Sequence, residues 1–100
     1  VAEVKLVMTW DIQEEKERSY IEFAVNEFAP ALGRMGLRIT DAWYTQAGFG
    51  PHVTVAGLIT DAEAAQGLLN SGDFRELQNQ LLEFVENFQW YIRRPNSGIF

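Results

Sequence analysis

The sequence predicts an α+β sandwich, one four-stranded antiparallel sheet with two helical segments on one face. The first reason is that the apolar period switches along the chain in the order strand, helix, strand, strand, helix, strand. The second is that the strands carry apolar residues on both faces. Helices on one side need only one apolar face, so the other is expected to be covered by a second copy of the chain. One hundred residues, 47% of them hydrophobic, supply one core and not two, so 1–100 is read as a single domain.

Val4, Leu6, Met8 and Trp10 alternate with Lys5, Val7 and Thr9, the period of a first strand. Asp11 followed by Glu14 reads as a capping box, and Glu14, Glu15 and Glu17 suit the positive end of a helix dipole. Tyr20, Phe23, Ala24, Phe28, Leu32 and Met35 then give the first helix a buried face, with Gly36 as its stop. Pro30 removes a backbone hydrogen bond to Asn26, which predicts a kink or a tightening there.

Residues 37–46 and 52–60 are rich in β-branched and aromatic side chains and flank a loop with two glycines and a proline, so they form a hairpin. A register in which paired numbers sum to 98 sets Trp43 opposite Val55, Ile39 opposite Ile59, Asp41 opposite Gly57, Tyr44 opposite Thr54 and Gln46 opposite His52. Thr60 or Asp61 caps a helix over 62–69. The chain breaks at 70–72, and Asp73 with Glu76 opens a longer helix whose stripe is Phe74, Leu77, Leu81, Phe84 and Val85. After Asn87 the period returns to two, with Phe88, Trp90 and Ile92 on one side. This is read as the fourth strand, although a helix running on to Ile92 would also bring Phe88 and Ile92 together.

Cysteine is absent, which excludes a disulfide framework and thiolate chemistry. A net charge of −6 opposes a phosphate-tracking surface, and Arg93-Arg94 is the one adjacent basic pair, expected to cover a sheet edge or meet acidic groups of a partner. No apolar run approaches the ~20 residues of a membrane helix, and no leader-like N-terminus is recognisable. The expectation is a soluble cytoplasmic protein without nucleic-acid or membrane partners.

Two right-handed β-α-β units of this kind give a ferredoxin-like sandwich with the second and fourth strands at its edges. The chain resembles the dimeric α/β-barrel superfamily, which includes antibiotic-biosynthesis-monooxygenase-type enzymes and related small proteins. The likeness lies in Val4 to Trp10 leading into an acidic helix, in Asp41-Ala42-Trp43-Tyr44, and in Ser71-Gly72-Asp73-Phe74-Arg75 opening an amphipathic helix. It implies a homodimer formed through sheet faces and edge strands, two subunits completing a barrel. Haem-degrading members hold iron through a histidine on the last helix, and residues 74–87 contain none. Quinol oxygenases of this type place an asparagine on a strand beside a tryptophan, and the four predicted strands have no asparagine. No haem, flavin or metal cofactor is therefore expected.

Asp41 and His52 are the candidate catalytic residues. Asp41 shares parity with Ile39 and Trp43, so it is expected on the helix-facing side beside the space left by Gly57, where burial would raise its pKa toward general acid or base work. If strand 2 bulges, it points to solvent instead. His52 with Gln46, Tyr44 and Thr54 forms a polar patch on the opposite face, or else His52 is an exposed loop-end residue. One histidine does not make a metal site. Trp10, Phe23, Trp43, Phe84 and Trp90 could frame a pocket for a flat apolar ligand, with Tyr44 and Thr54 nearby, or simply build the core. Two functions compete: a small ligand-binding protein or enzyme, monooxygenase-like or isomerase-like, and a non-catalytic dimerisation module.

Overall fold

The computed structural model describes residues 3–45 and 52–93. The elements run β1 (Val4–Ile12), α1 (Glu17–Phe23), a π-helical stretch (Ala24–Phe28), α2 (Ala29–Arg34), β2 (Arg38–Tyr44), β3 (Val53–Ile59), α3 (Ala62–Asn70), α4 (Gly72–Leu81) and β4 (Val85–Arg93). Every strand pairing is antiparallel and the order is β2-β3-β1-β4. This is the ferredoxin-like α+β arrangement, with β2 and β4 at the edges.

The core follows the alternation of the central strands. Val4, Leu6, Met8, Trp10 and Ile12 of β1, with Val53, Val55 and Ile59 of β3, pack under one helical layer containing Tyr20, Phe23, Phe28, Leu32, Ala65, Leu68, Phe74, Leu77 and Leu81. Asp61 caps α3 by accepting from the Ala64 N–H at 2.8 Å. Ser71, rather than Asp73, caps α4 by accepting from the Phe74 N–H at 3.1 Å.

Pro30 acts by widening the helix, not by tightening it. The proline has no N–H to return to Asn26, and the preceding turn bonds Ala29 N–H to the Ala24 carbonyl, five residues back. The extra residue explains why the buried Phe23 and Phe28 lie five apart and still touch, with ring centroids 6.0 Å apart.

Four further expectations are corrected. β1 runs on to Ile12 and α1 starts at Glu17 after Lys16, with no side-chain cap, so Asp11 and Glu14 form no capping box. The last helix ends at Leu81, and Val85 is already β4, paired with Ile12. Asn87 therefore lies inside a strand. Its φ of 59° belongs to a bulge in which two β4 residues oppose Trp10, a left-handed position that asparagine tolerates better than most residues.

The fourth correction concerns the hairpin register. Ile39 pairs with Gly57, but Asp41 pairs with Ala56, Ala42 with Val55, Trp43 with Thr54 and Tyr44 with Val53. Thr40 is the extra residue of a β2 bulge, and it flips the parity of everything after it. Ala42 and Tyr44 thereby face the helices with Val53 and Val55, while Asp41 and Trp43 belong to the other face. No space lies beside Gly57: a Cβ there would sit 2.9 Å from the Arg38 carbonyl oxygen and 2.9 Å from Leu37 Cγ. The glycine loop and Gln46 lie outside the described residues.

Candidate functional site

The parity change opens a cavity of about 630 Å³ between the first helix and the β2 side of the sheet. Alanines create the room. Ala24 and Ala29 on the helical wall and Ala42 on the sheet wall carry too little bulk to close the layer. Trp10, Tyr20 and Phe28 line the cavity where the layer is most deeply buried. Ile21 and Val25, more than half exposed, form its helical rim, and Tyr44, half exposed, its sheet rim. The walls are almost wholly apolar. Glu17 is the one charged side chain among the described lining residues.

Trp10 organises this site. It meets Phe28 edge-on at 5.6 Å and Tyr20 at 6.3 Å, and stacks on Phe88 at 5.9 Å. Its indole Nε1–H donates to the Tyr20 hydroxyl oxygen at 3.1 Å. Burial pushes the Tyr20 phenol above its ordinary pKa, opposed in part by this bond.

The residues singled out from the sequence separate in space. Trp10 and Tyr44 line the cavity, and Trp43, whose position on edge strand β2 belongs to the open face, borders it as well. Phe23 and Phe84 pack on each other at 5.4 Å and are not among its lining residues. Trp90 pairs with Met8 on β1 next to the β4 edge, 43% exposed and away from the cavity. Thr54 lies on the open face opposite Trp43.

Asp41 is on the outer surface. Its carboxylate meets Lys5 Nζ at 3.4 Å and accepts from the Thr40 hydroxyl at 3.0 Å. The bulge orientation, not the buried one, is realised. On that open face Val7 and Ala56 are buried and Trp43 and Tyr91 are about half exposed, while Ala42 and Tyr44 face the helices. Arg93 lies across from Lys5, and Arg94 falls outside the described residues.

His52 is half-buried at the start of β3 and stacks against Tyr44 at 6.2 Å. Its Nδ1 accepts from the Ile12 backbone N–H at 3.2 Å and lies 3.6 Å from Asp11 Oδ1. Because an accepting Nδ1 carries no proton, the Asp11 contact is not a charged pair, and the ring proton sits on Nε2. The Asp11 carboxylate accepts instead from the His52 backbone N–H at 3.0 Å and from the Asn87 amide at 2.9 Å. Neither Asp11 nor Asn87 lines the cavity. This tether between β1, β3 and β4 had no sequence signal beyond an acid at a strand end.

The Asn87 hydrogen bond, opposed by partial desolvation and helped by the His52 N–H, holds the Asp11 carboxyl below the usual carboxylate range. A depressed folded-state value stabilises the fold above the unfolded-state pKa of roughly 3.9 and is lost as pH falls through the folded value. Acid unfolding of Asp11→Asn should therefore show a flatter limb below about pH 4 than the parent chain. Superimposable acid limbs in circular dichroism would refute this.

No family model matches the chain, and no curated protein matches it in sequence. Solved structures do share its fold. A NIPSNAP family protein from Agrobacterium tumefaciens superposes with a TM-score of 0.71 at 14% identity, covering 96% of this chain and 95% of its own. An ethyl tert-butyl ether d (EthD) family protein from Bacillus halodurans gives 0.69 at 18% identity, covering 90% and 95%. A dimeric protein of unknown function and ferredoxin-like fold from Bacteroides fragilis gives 0.67 at 11% identity, covering 92% and 95%. At these identities the likeness concerns the fold. A monooxygenase-type activity is not among the properties it carries over. Among the described residues no helix is long and apolar enough to cross a membrane.

Proposed function

We propose that this chain is a homodimeric binding protein for a small, largely apolar molecule, held between the first helix and strands β1, β2 and β3. The observation that carries the reading is the cavity of about 630 Å³. It falls within the roughly 300–1,000 Å³ of small-molecule sites and combines apolar walls with a buried Trp10–Tyr20 hydrogen bond. A structural core would close such a space, because unfilled apolar volume costs dispersion contacts. Dimerisation rests on the half-exposed Trp43 and Tyr91 flanking the buried Val7 and Ala56 on the open face, and on the dimeric protein from Bacteroides fragilis that shares the fold.

His52 and Asp41, the two candidates for catalysis named from the sequence, are not among the cavity's lining residues. Of the two, His52 is nearer the cavity, through its stacking on the rim residue Tyr44. Asp41 is engaged by Lys5 on the far face. The binding reading is tested with Prodan, a neutral aminonaphthyl ketone whose emission shifts to the blue in apolar surroundings, alongside sedimentation velocity of the same sample. The parent chain should sediment as a dimer and shift the dye. Ala42→Trp adds a strand-compatible ring to the sheet wall, and it should abolish the shift while leaving the melting temperature and the dimer unchanged. An undiminished shift in Ala42→Trp would sink the cavity reading, and a folded monomer at micromolar concentration would sink the dimer.

A further inference from the structure

We propose that the Tyr20 hydroxyl is the specificity-determining donor of the cavity, and that the occupant is an uncharged molecule whose buried end carries a carbonyl-type acceptor. The proposal rests on the ligand-binding reading above and adds the chemical class of the ligand.

It follows from the direction of one hydrogen bond. An indole N–H only donates, so at 3.1 Å from Trp10 Nε1 the Tyr20 oxygen is the acceptor, and its own hydrogen must point elsewhere. Among the described residues that hydrogen finds no acceptor, while Tyr20 is 95% or so removed from solvent, its exposure being 5%. Both rings line the cavity. Donation from Trp10 polarises the phenol and strengthens its O–H as a donor. Desolvation raises the phenol's pKa above its ordinary value, so the hydroxyl stays protonated and, while accepting from Trp10, still has a hydrogen to offer.

Charge sets the rest of the class. Glu17 is the one charged group among the described lining residues. A carboxylate or phosphate ligand would be desolvated against apolar walls and would face that acid with no cation from these residues to offset it. A ketone or similar neutral acceptor satisfies the Tyr20 donor without burying charge. A pure hydrocarbon fills the volume and leaves the donor unpaired.

The test uses three probes of one ring system: acetylnaphthalene, ethylnaphthalene and naphthoate, titrated calorimetrically into the parent dimer and into Tyr20→Phe. The parent chain should bind the ketone about five- to tenfold more tightly than the hydrocarbon, as one buried hydrogen bond provides, and naphthoate more weakly than either. Tyr20→Phe should erase the ketone's advantage and leave ethylnaphthalene binding within about twofold. Equal affinities for ketone and hydrocarbon in the parent chain would overturn the proposal while leaving the cavity reading intact, and so would naphthoate binding as tightly as the ketone. That comparison needs no variant, so a Tyr20→Phe chain that folds poorly does not shelter it. If ethylnaphthalene also fails to bind the parent chain, the cavity reading falls and this proposal with it.

Discussion

Trp10→Ala is expected to remove about 3–5 kcal/mol of folding stability, a large share of the roughly 5–15 kcal/mol that a domain of this kind possesses. The residue is 1% exposed and touches Tyr20, Phe28 and Phe88 at once, linking the first helix, β1 and β4. Truncation leaves a hole that three rings from different elements cannot collapse into together. It also leaves the Tyr20 hydroxyl without its donor. Trp10→Phe should cost less, since it keeps much of the volume and loses mainly the hydrogen bond. Chemical denaturation monitored by circular dichroism measures both variants. A loss under about 1 kcal/mol for Trp10→Ala would show that the site is not the centre of the core.

Gly57→Ala carries the second large effect, expected at about 1–3 kcal/mol. The added methyl would lie 2.9 Å from the Arg38 carbonyl oxygen, a backbone atom fixed by the β2 to β3 pairing. It would also press on Leu37, which is 1% exposed and has nowhere to go. Edge strand β2 should loosen first, taking the Ala42 and Tyr44 side of the cavity with it. Amide exchange should therefore quicken in β2 more than in β4. Gly67→Ala is the matched control, because nothing lies within 4 Å of its added Cβ. In the interior of α3 it should stabilise by roughly 0.5–1 kcal/mol. A Gly57→Ala chain as stable as the parent would mean that the β2 to β3 register is not held at this glycine.

The sequence by itself determined the element order, the antiparallel sheet with β2 and β4 outermost, and the buried faces of β1, β3 and α4. Each depends on a repeat of two or of three and four residues sustained over several turns, and such periods survive packing because moving one residue would expose the whole stripe. Trp10 was legible as a residue of the buried face for the same reason. What only the tertiary structure decided was local and aperiodic. One inserted residue at Thr40 turned Asp41 and Trp43 outward and Tyr44 inward, and nothing in the composition of β2 distinguishes that bulge from plain alternation. The five-residue step from Phe23 to Phe28 ahead of Pro30 did leave a trace of the π-helical turn. The pairing of Trp10 with Tyr20 left a weaker one, in that two buried rings with polar tips each need a partner. Asp11 left none, since its partners His52 and Asn87 lie 41 and 76 residues away, and contacts at such separations are set by how the strands assemble.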